Sequence, residues 1–232
     1  MGKKQIDIHR AMEILKREFP RWSKERATVK MMMEVHQFDP FKHLIMTILS
    51  AQTRDDMTAP VAKKLFQVAD TPEKLSKMPI EEIEKIIKPL GFYRKKARYI
   101  KEAARMIVEE FGGKVPDDPR LLMKIPGVGR KVANVFLSHV YGRDVIGVDV
   151  HVHRISNRWN LVRTKTPEQT EKELYKVLPK EYWRDYNLYV VALGQAICGA
   201  KPKCYECPLR DICPYEPKNL EPSRKSVGAP SR

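Results

Sequence analysis

The stretch at residues 122–135, L-M-K-I-P-G-V-G-R-K-V-A-N-V, most narrows what this chain can become. A short apolar run ends at Ile125, Pro126-Gly127-Val128-Gly129 dictates a tight turn, and helical spacing resumes with Val132, Val135 and Phe136. Two glycines two residues apart supply positive φ and let the backbone come close to something large. The turn leaves the first N–H groups of the next helix unpaired and facing outward, where they suit an anion such as a nucleic-acid phosphate. Lys131 falls in the first turn of that helix. Taken alone, the pattern also suits an ordinary turn or a nucleotide site. It is not a dinucleotide fingerprint, because no strand precedes it and the third glycine is missing.

Around this hairpin the apolar residues recur at helical spacing. Ile8, Ala11, Met12, Leu15 and Phe19 predict an amphipathic helix that Pro20 ends, followed by a mixed, basic connector or lid over residues 21–37. Phe41, Leu44, Ile45, Ile48 and Leu49 mark a strongly buried helix running into the polar break Ser50-Ala51-Gln52-Thr53-Arg54. Asp55 or Asp56 is expected to cap the next helix, through Phe66. Thr71-Pro72 and Pro79 open two short helices, and the Pro89-Leu90-Gly91-Phe92 turn leads into a long stripe from Tyr93 to Phe111, closed by Gly112-Gly113. Asp117-Asp118-Pro119 starts the first helix of the hairpin unit. Val148, Val150 and Val152 alternate as a strand would, but a lone strand in a helical chain would have no partner. Asp149 is therefore read as the N-cap of a helix carrying Val152, Ile155 and Trp159. Thr166-Pro167-Glu168-Gln169 is a capping box with proline at N1, and a last helix covers residues 186–197. The fold class is all-α.

Composition narrows the partner. The 232 residues carry 44 Lys+Arg against 29 Asp+Glu, a net charge of +15 spread along the chain, which favours a polyanion. No apolar run approaches the roughly 20 residues that span a bilayer. The first residues have neither the h-region of a secretory signal nor the pattern for myristoylation, so a cytoplasmic protein is expected. Sparse Asn and Gln beside many Lys, Glu and Arg lean toward a thermophilic source.

All four cysteines, Cys198, Cys204, Cys207 and Cys213, lie in one window spaced C-x5-C-x2-C-x5-C. Four thiols converging so closely in a chain read as intracellular point to a metal centre rather than disulfides. Structural zinc usually pairs two short knuckles, whereas only Cys204 and Cys207 form one here. The wide outer spacings favour an iron–sulfur cluster, with zinc as the alternative. Lys201, Lys203 and Arg210 between the ligands would present positive charge to phosphates.

Together, Leu49-Ser50-Ala51-Gln52, the stretch from Ile125 to Asn134, Val148-Asp149-Val150-His151 with Arg154, and the four cysteines resemble the endonuclease III family of DNA glycosylases, in the helix-hairpin-helix superfamily. The resemblance covers residues 8–215. It implies two helical domains flanking a DNA-binding cleft. One is a six-helix bundle over residues 33–143, with the helix-hairpin-helix at 119–141. The other is an iron–sulfur domain from residues 1–32 and 144–215, followed by a flexible tail at 216–232. It implies a 4Fe–4S cluster on the four cysteines, although the first two are one residue closer than in the usual bacterial pattern.

The same resemblance implies that Lys131 is the catalytic amine and Asp149 its acidic partner. A helix N-terminus and a desolvated cleft both disfavour the ammonium form that a lysine nucleophile must shed. Asp149 could take the amine's proton and stabilise positive charge on the sugar. The expected substrate is double-stranded DNA with oxidised pyrimidines or abasic sites, processed by a monomer through a Lys131 imine and β-elimination. Gln52 would fill the space left by the flipped nucleotide, Gly127, Gly129 and Arg130 would grip the backbone, and His151, Lys201 and Lys203 would add contacts. Phe92 stands where the family commonly carries an aliphatic wedge residue. His139, His151 and His153 are assigned to no second metal. The alternatives are a monofunctional glycosylase for mismatched or alkylated bases, in which Lys131 only binds phosphate, and a non-catalytic DNA-binding module with a structural metal. A ferredoxin-type carrier fits a large basic chain poorly.

Overall fold

The computed structural model describes residues 4–25, 39–51, 53 and 55–221, apart from the side chains of residues 23–25, 55 and 56. Among the described residues the chain is helical, with no strand. The helices are α1 (Ile8–Glu25), α2 (Pro40–Ser50), α3 (Asp55–Val68), α4 (Pro72–Lys77), α5 (Ile80–Ile87), α6 (Tyr93–Glu109), α7 (Pro119–Leu122), α8 (Arg130–Tyr141), α9 (Val150–Arg158), α10 (Pro167–Val177) and α11 (Trp183–Ala196).

Two apolar cores result. Around α2, residues from α3 to α8 close a first core containing Leu44, Ile45, Ile48, Leu49, Ile83, Ile100 and Phe136. The α2 helix is apolar on most of its surface because α3, α6 and α8 cover it from different sides. Truncating Leu44 or Ile48 there would cost about 2–5 kcal/mol. The second core joins α1 to α9, α10 and α11 through Leu15, Trp22, Trp159, Leu174, Tyr186 and Leu193. The N-terminal segment is sewn to it by Ile6 N–H donating to Trp159 O (3.1 Å) and Asn160 Nδ2 to Lys4 O (2.9 Å).

Cap chemistry places most boundaries. Asp39, Thr71, Asp118, Asp149 and Thr166 each accept a backbone N–H at a helix start. Gln169 departs from the expected box, since its Oε1 accepts from Lys165 N–H (2.9 Å). The prediction that Pro20 ends the first helix is wrong: α1 continues to Glu25. Proline removes one N–H, but Phe19 and Trp22 are both buried in the second core, and that burial outweighs the lost bond. The expected cap by Asp55 or Asp56 concerns side chains outside the described residues; α3 itself begins at Asp55 and runs past Phe66 to Val68. The last long helix starts three residues earlier than predicted, at Trp183. Residues 216–221, expected to fray, are tied to the cysteine loop by Tyr205 N–H donating to Asn219 O (3.1 Å) and Asn219 Nδ2 to Pro202 O (3.1 Å). The remaining tail, 222–232, and the connector stretch 26–38 lie outside the described residues.

Candidate active site

The hairpin forms the expected turn, but only one of its two glycines takes the positive φ expected of both. Gly127 has φ +85°, and a Cβ on it would meet Tyr99 Cδ2 at 3.0 Å and Ile48 Cγ2 at 3.1 Å. Both the dihedral and the packing require glycine there. Gly129 is different: it caps α8 with φ −85°, and a Cβ on it would meet nothing within 4 Å. The space in front of Gly129 is open. The α8 N-terminus opens onto it with no side-chain cap, leaving its first N–H groups for an outside acceptor.

Lys131 is partly buried in the first turn of α8, and among the described residues its ammonium has no ion-pair partner. Asp149 caps α9: its Oδ1 accepts the N–H groups of His151 and Val152, both at 2.9 Å. Its second oxygen makes no hydrogen bond among the described residues. His151 lies within the field of both groups. Burial pushes its imidazole below the ordinary value, Arg154 and Lys131 push the same way, and Asp149 opposes them. Its Nδ1 accepts from Arg154 NH2 (3.0 Å), and its ring seats against Gly194, where a Cβ would stand only 2.6 Å from Nδ1. The charges of Lys131 and Asp149, from two different helices, both act on His151.

The segment that delivers Asp149 is held from three sides. Asn134 Nδ2 donates to Ile146 O (2.9 Å), Ile146 N–H to Tyr175 Oη (2.9 Å), and Asn187 Nδ2 to Gly147 O (2.7 Å). Gly147 is required by proximity, since a Cβ would lie 2.4 Å from Val135 Cγ2.

Other expected residues are spread over the surface. Phe92 is 66% exposed and left-handed (φ 56°), a strained placement for a phenyl group outside any core. Arg130 is exposed, with NH1 3.4 Å from Glu171 Oε1. Lys201 and Lys203 are exposed on the cysteine loop, and Lys203 Nζ stands 3.9 Å from Glu206. Gln52 lies outside the described residues. Its neighbourhood holds a group that sequence reasoning missed: Lys96, only 4% exposed, donates to Leu49 O (2.7 Å) and to Thr53 Oγ1. Burial lowers its pKa. Its signal was present, since Lys96 shares the face of Tyr93, Ala97 and Ile100. Asn134 and Glu171 were missed in the same way, as polar residues on buried helical faces.

The four cysteines line one small cavity with Arg158, Leu193, Ile197 and Tyr215. No group of three or more among the described residues is arranged to hold a single metal ion. Burial raises the thiols of Cys198 and Cys213 and pushes Cys207 up to about 12. Arg158 supplies positive charge, with NH1 donating to Cys198 Sγ (3.2 Å) and to Gly199 O (2.7 Å). Arg154 donates to Cys198 O (3.0 Å). Four sulfurs around a shared space, with cationic donors beside them, are a donor set that suits a thiolate-bound metal centre.

Residues 45–180 match the family described as HhH-GPD superfamily base excision DNA repair protein. The chain is 45% identical over 206 residues to endonuclease III of Thermotoga maritima, covering 88% of this chain and 91% of the relative. It is 38% identical over 186 residues to endonuclease III of Escherichia coli K12, covering 80% and 88%. Among solved structures, a trapped endonuclease III–DNA covalent intermediate superposes with a TM-score of 0.72 at 38% identity, covering 85% of this chain and 95% of that one. A thermostable thymine-DNA glycosylase superposes at 0.67 with 25% identity, covering 84% and 97%.

Proposed function

Since the chain belongs to the endonuclease III family of the HhH-GPD base excision DNA repair superfamily, we propose that it cuts damaged duplex DNA as a glycosylase and AP lyase, with Lys131 as its nucleophile. The observation that supports this reading is Lys131 in the first turn of a helix with no side-chain cap, with its charge and that of Asp149 both acting on His151. The relative that formed a covalent intermediate with DNA is 38% identical to this chain.

The steps follow from the groups. A damaged nucleotide leaves the duplex at a cost of a few kcal/mol, which a lesion lowers. Phe92 takes the role of wedge, and Gln52 that of filling the vacated space. The amides around Gly129 donate to a backbone phosphate, with Arg130, His151, Lys201 and Lys203 contributing on either side. The free oxygen of Asp149 takes a proton from the Lys131 ammonium. Lys131 Nζ bonds to C1′ as the glycosidic C–N bond breaks, and the base leaves with the electron pair and the proton that Asp149 took, which restores the carboxylate that stabilises positive charge on the sugar. Ring opening gives the imine. Loss of a C2′ proton then expels the 3′ phosphate, and water releases the lysine.

Oxidised pyrimidines are the substrate class we assign. Cys198, Cys204, Cys207 and Cys213 hold a 4Fe–4S cluster in this reading, and when bound it cross-links the loop that carries Lys201 and Lys203. Residues 33–143 and the pair 1–32 with 144–215 act as two domains, and the protein works in the cytoplasm as a monomer. Among the described residues no helix is long and apolar enough to cross a membrane.

The test is borohydride trapping on a thymine glycol duplex and on an abasic duplex. Adducts on both, absent in Lys131→Ala, are expected. An adduct on the abasic duplex alone would retain the lyase and reject oxidised pyrimidines as substrate. No adduct with DNA binding intact would reduce Lys131 to a phosphate contact.

A further inference from the structure

Glu171 is a buried carboxylate that the mechanism above does not use. It sits on α10, in the second core, at 7% exposure. Its Oε1 accepts from Asn134 Nδ2 (3.0 Å) and lies 3.4 Å from Arg130 NH1. Both partners belong to α8, one turn apart, and they bracket Lys131. The same Asn134 amide donates to Ile146 O, while Tyr175, one turn along α10 from Glu171, accepts from Ile146 N–H. One helix of the second core therefore grips the lysine-bearing helix through Glu171. Through Tyr175 it also holds the N–H of Ile146, three positions before Asp149, whose carbonyl Asn134 of α8 holds in turn.

Burying a carboxylate costs several kcal/mol unless it is well paired. Here the close donor is a neutral amide, and Arg130 is 56% exposed at a longer distance, so the pairing is too weak to explain the residue as a stability device. A geometric role explains it. Two donors one turn apart on α8, held by one oxygen, resist rotation of that helix about its axis. A side-chain tip at a radius of about 5–6 Å moves about 1 Å for a rotation of roughly 10°. A misplacement of that size can cost up to about a hundredfold in rate.

We propose that Glu171 is a positioning residue that sets the approach of Lys131 to Asp149; the proposal rests on Lys131 being the nucleophile. Asn134 is its intermediary, bonded at once to α8's anchor and to the segment that delivers Asp149. Glu171 itself touches no reacting atom.

The experiment is single-turnover imine trapping on an abasic duplex at saturating enzyme. Affinity is measured in parallel for a duplex carrying a non-cleavable abasic analogue, together with the urea midpoint of each variant. Glu171→Ala is expected to slow trapping about tenfold or more, with affinity within about threefold of wild type. Glu171→Gln keeps an acceptor for Asn134 and is expected to restore the rate to within about threefold. Tyr175→Phe frees Ile146 N–H and is expected to slow trapping while leaving affinity alone. A folded Glu171→Ala variant that traps at the wild-type rate would overturn the proposal. So would rate, affinity and urea midpoint falling together without rescue by glutamine, which is the mark of a merely structural group. Should the alanine variant fail to fold, Tyr175→Phe decides: a wild-type rate there overturns the idea. A wild-type enzyme that forms no adduct sinks the lysine chemistry itself and the proposal with it. That result is distinct from an adduct that Glu171→Ala leaves unchanged.

Discussion

Replacing each hairpin glycine by alanine separates folding from binding. At Gly127 the new side chain must adopt φ +85° and meets Tyr99 and Ile48 at 3.0 and 3.1 Å. Left-handed strain contributes about 1–2 kcal/mol, and overpacking two well-seated neighbours adds about 1–3 kcal/mol. The sum, roughly 2–5 kcal/mol, corresponds to a melting temperature lower by about 4–20 °C for a chain of this size. At Gly129 neither cost applies, because φ is −85° and the space beyond is open. Gly129→Ala should lose less than about 1 kcal/mol, the usual difference at an N-cap. Its methyl group instead occupies the approach to the α8 amides, and a lost charged hydrogen bond of about 1.5–3 kcal/mol weakens binding about tenfold or more. Thermal melts and fluorescence anisotropy on a labelled abasic-analogue duplex read the two effects. A Gly127→Ala protein melting within a degree of wild type would refute the packing argument. A Gly129→Ala protein with undiminished affinity would refute the open space as a ligand approach.

Other consequences follow from single residues. Phe92→Gly should leave the melting temperature unchanged or raise it slightly, since it removes an exposed ring from a left-handed backbone, while lesion excision falls about tenfold with the lost stacking; excision at the wild-type rate would refute the wedge role. Lys96→Met should lower the urea midpoint by the equivalent of about 1–3 kcal/mol, because Leu49 O loses a buried donor, and an unchanged midpoint would contradict it. The imidazole of His151 is depressed by burial from 6.5, so between that lowered value and 6.5 the unfolded chain holds a proton that the folded chain does not. Stability then rises with pH across this window and is lost as pH falls through it. His151→Gln should flatten the rise of urea midpoints with pH below about pH 6.5, and an identical slope would remove His151 as its source.

Local chemistry was legible in the sequence wherever it acts over a few residues. The turn at Gly127 and Gly129, the caps at Thr71, Asp118, Asp149 and Thr166, and the helical stripes depend on dihedral limits and hydrogen bonds within one or two turns, which hold in any surroundings. The strand-like alternation at Val148, Val150 and Val152 resolved as a helix start because Asp149 caps it. Only the tertiary structure decided questions that hinge on neighbours distant in sequence. Pro20 stayed inside α1 because Phe19 and Trp22 found a core formed by residues more than a hundred positions away. The buried Lys96 and Glu171 looked like surface charges, since burial and partner are properties of packing, and their partners lie 47 and 37 residues off. Lys131 and Asp149 were recognisable one at a time, each with an ordinary surface role open to it. What joins them is the docking of α10 and α11 against α8, a contact between elements that no local pattern encodes.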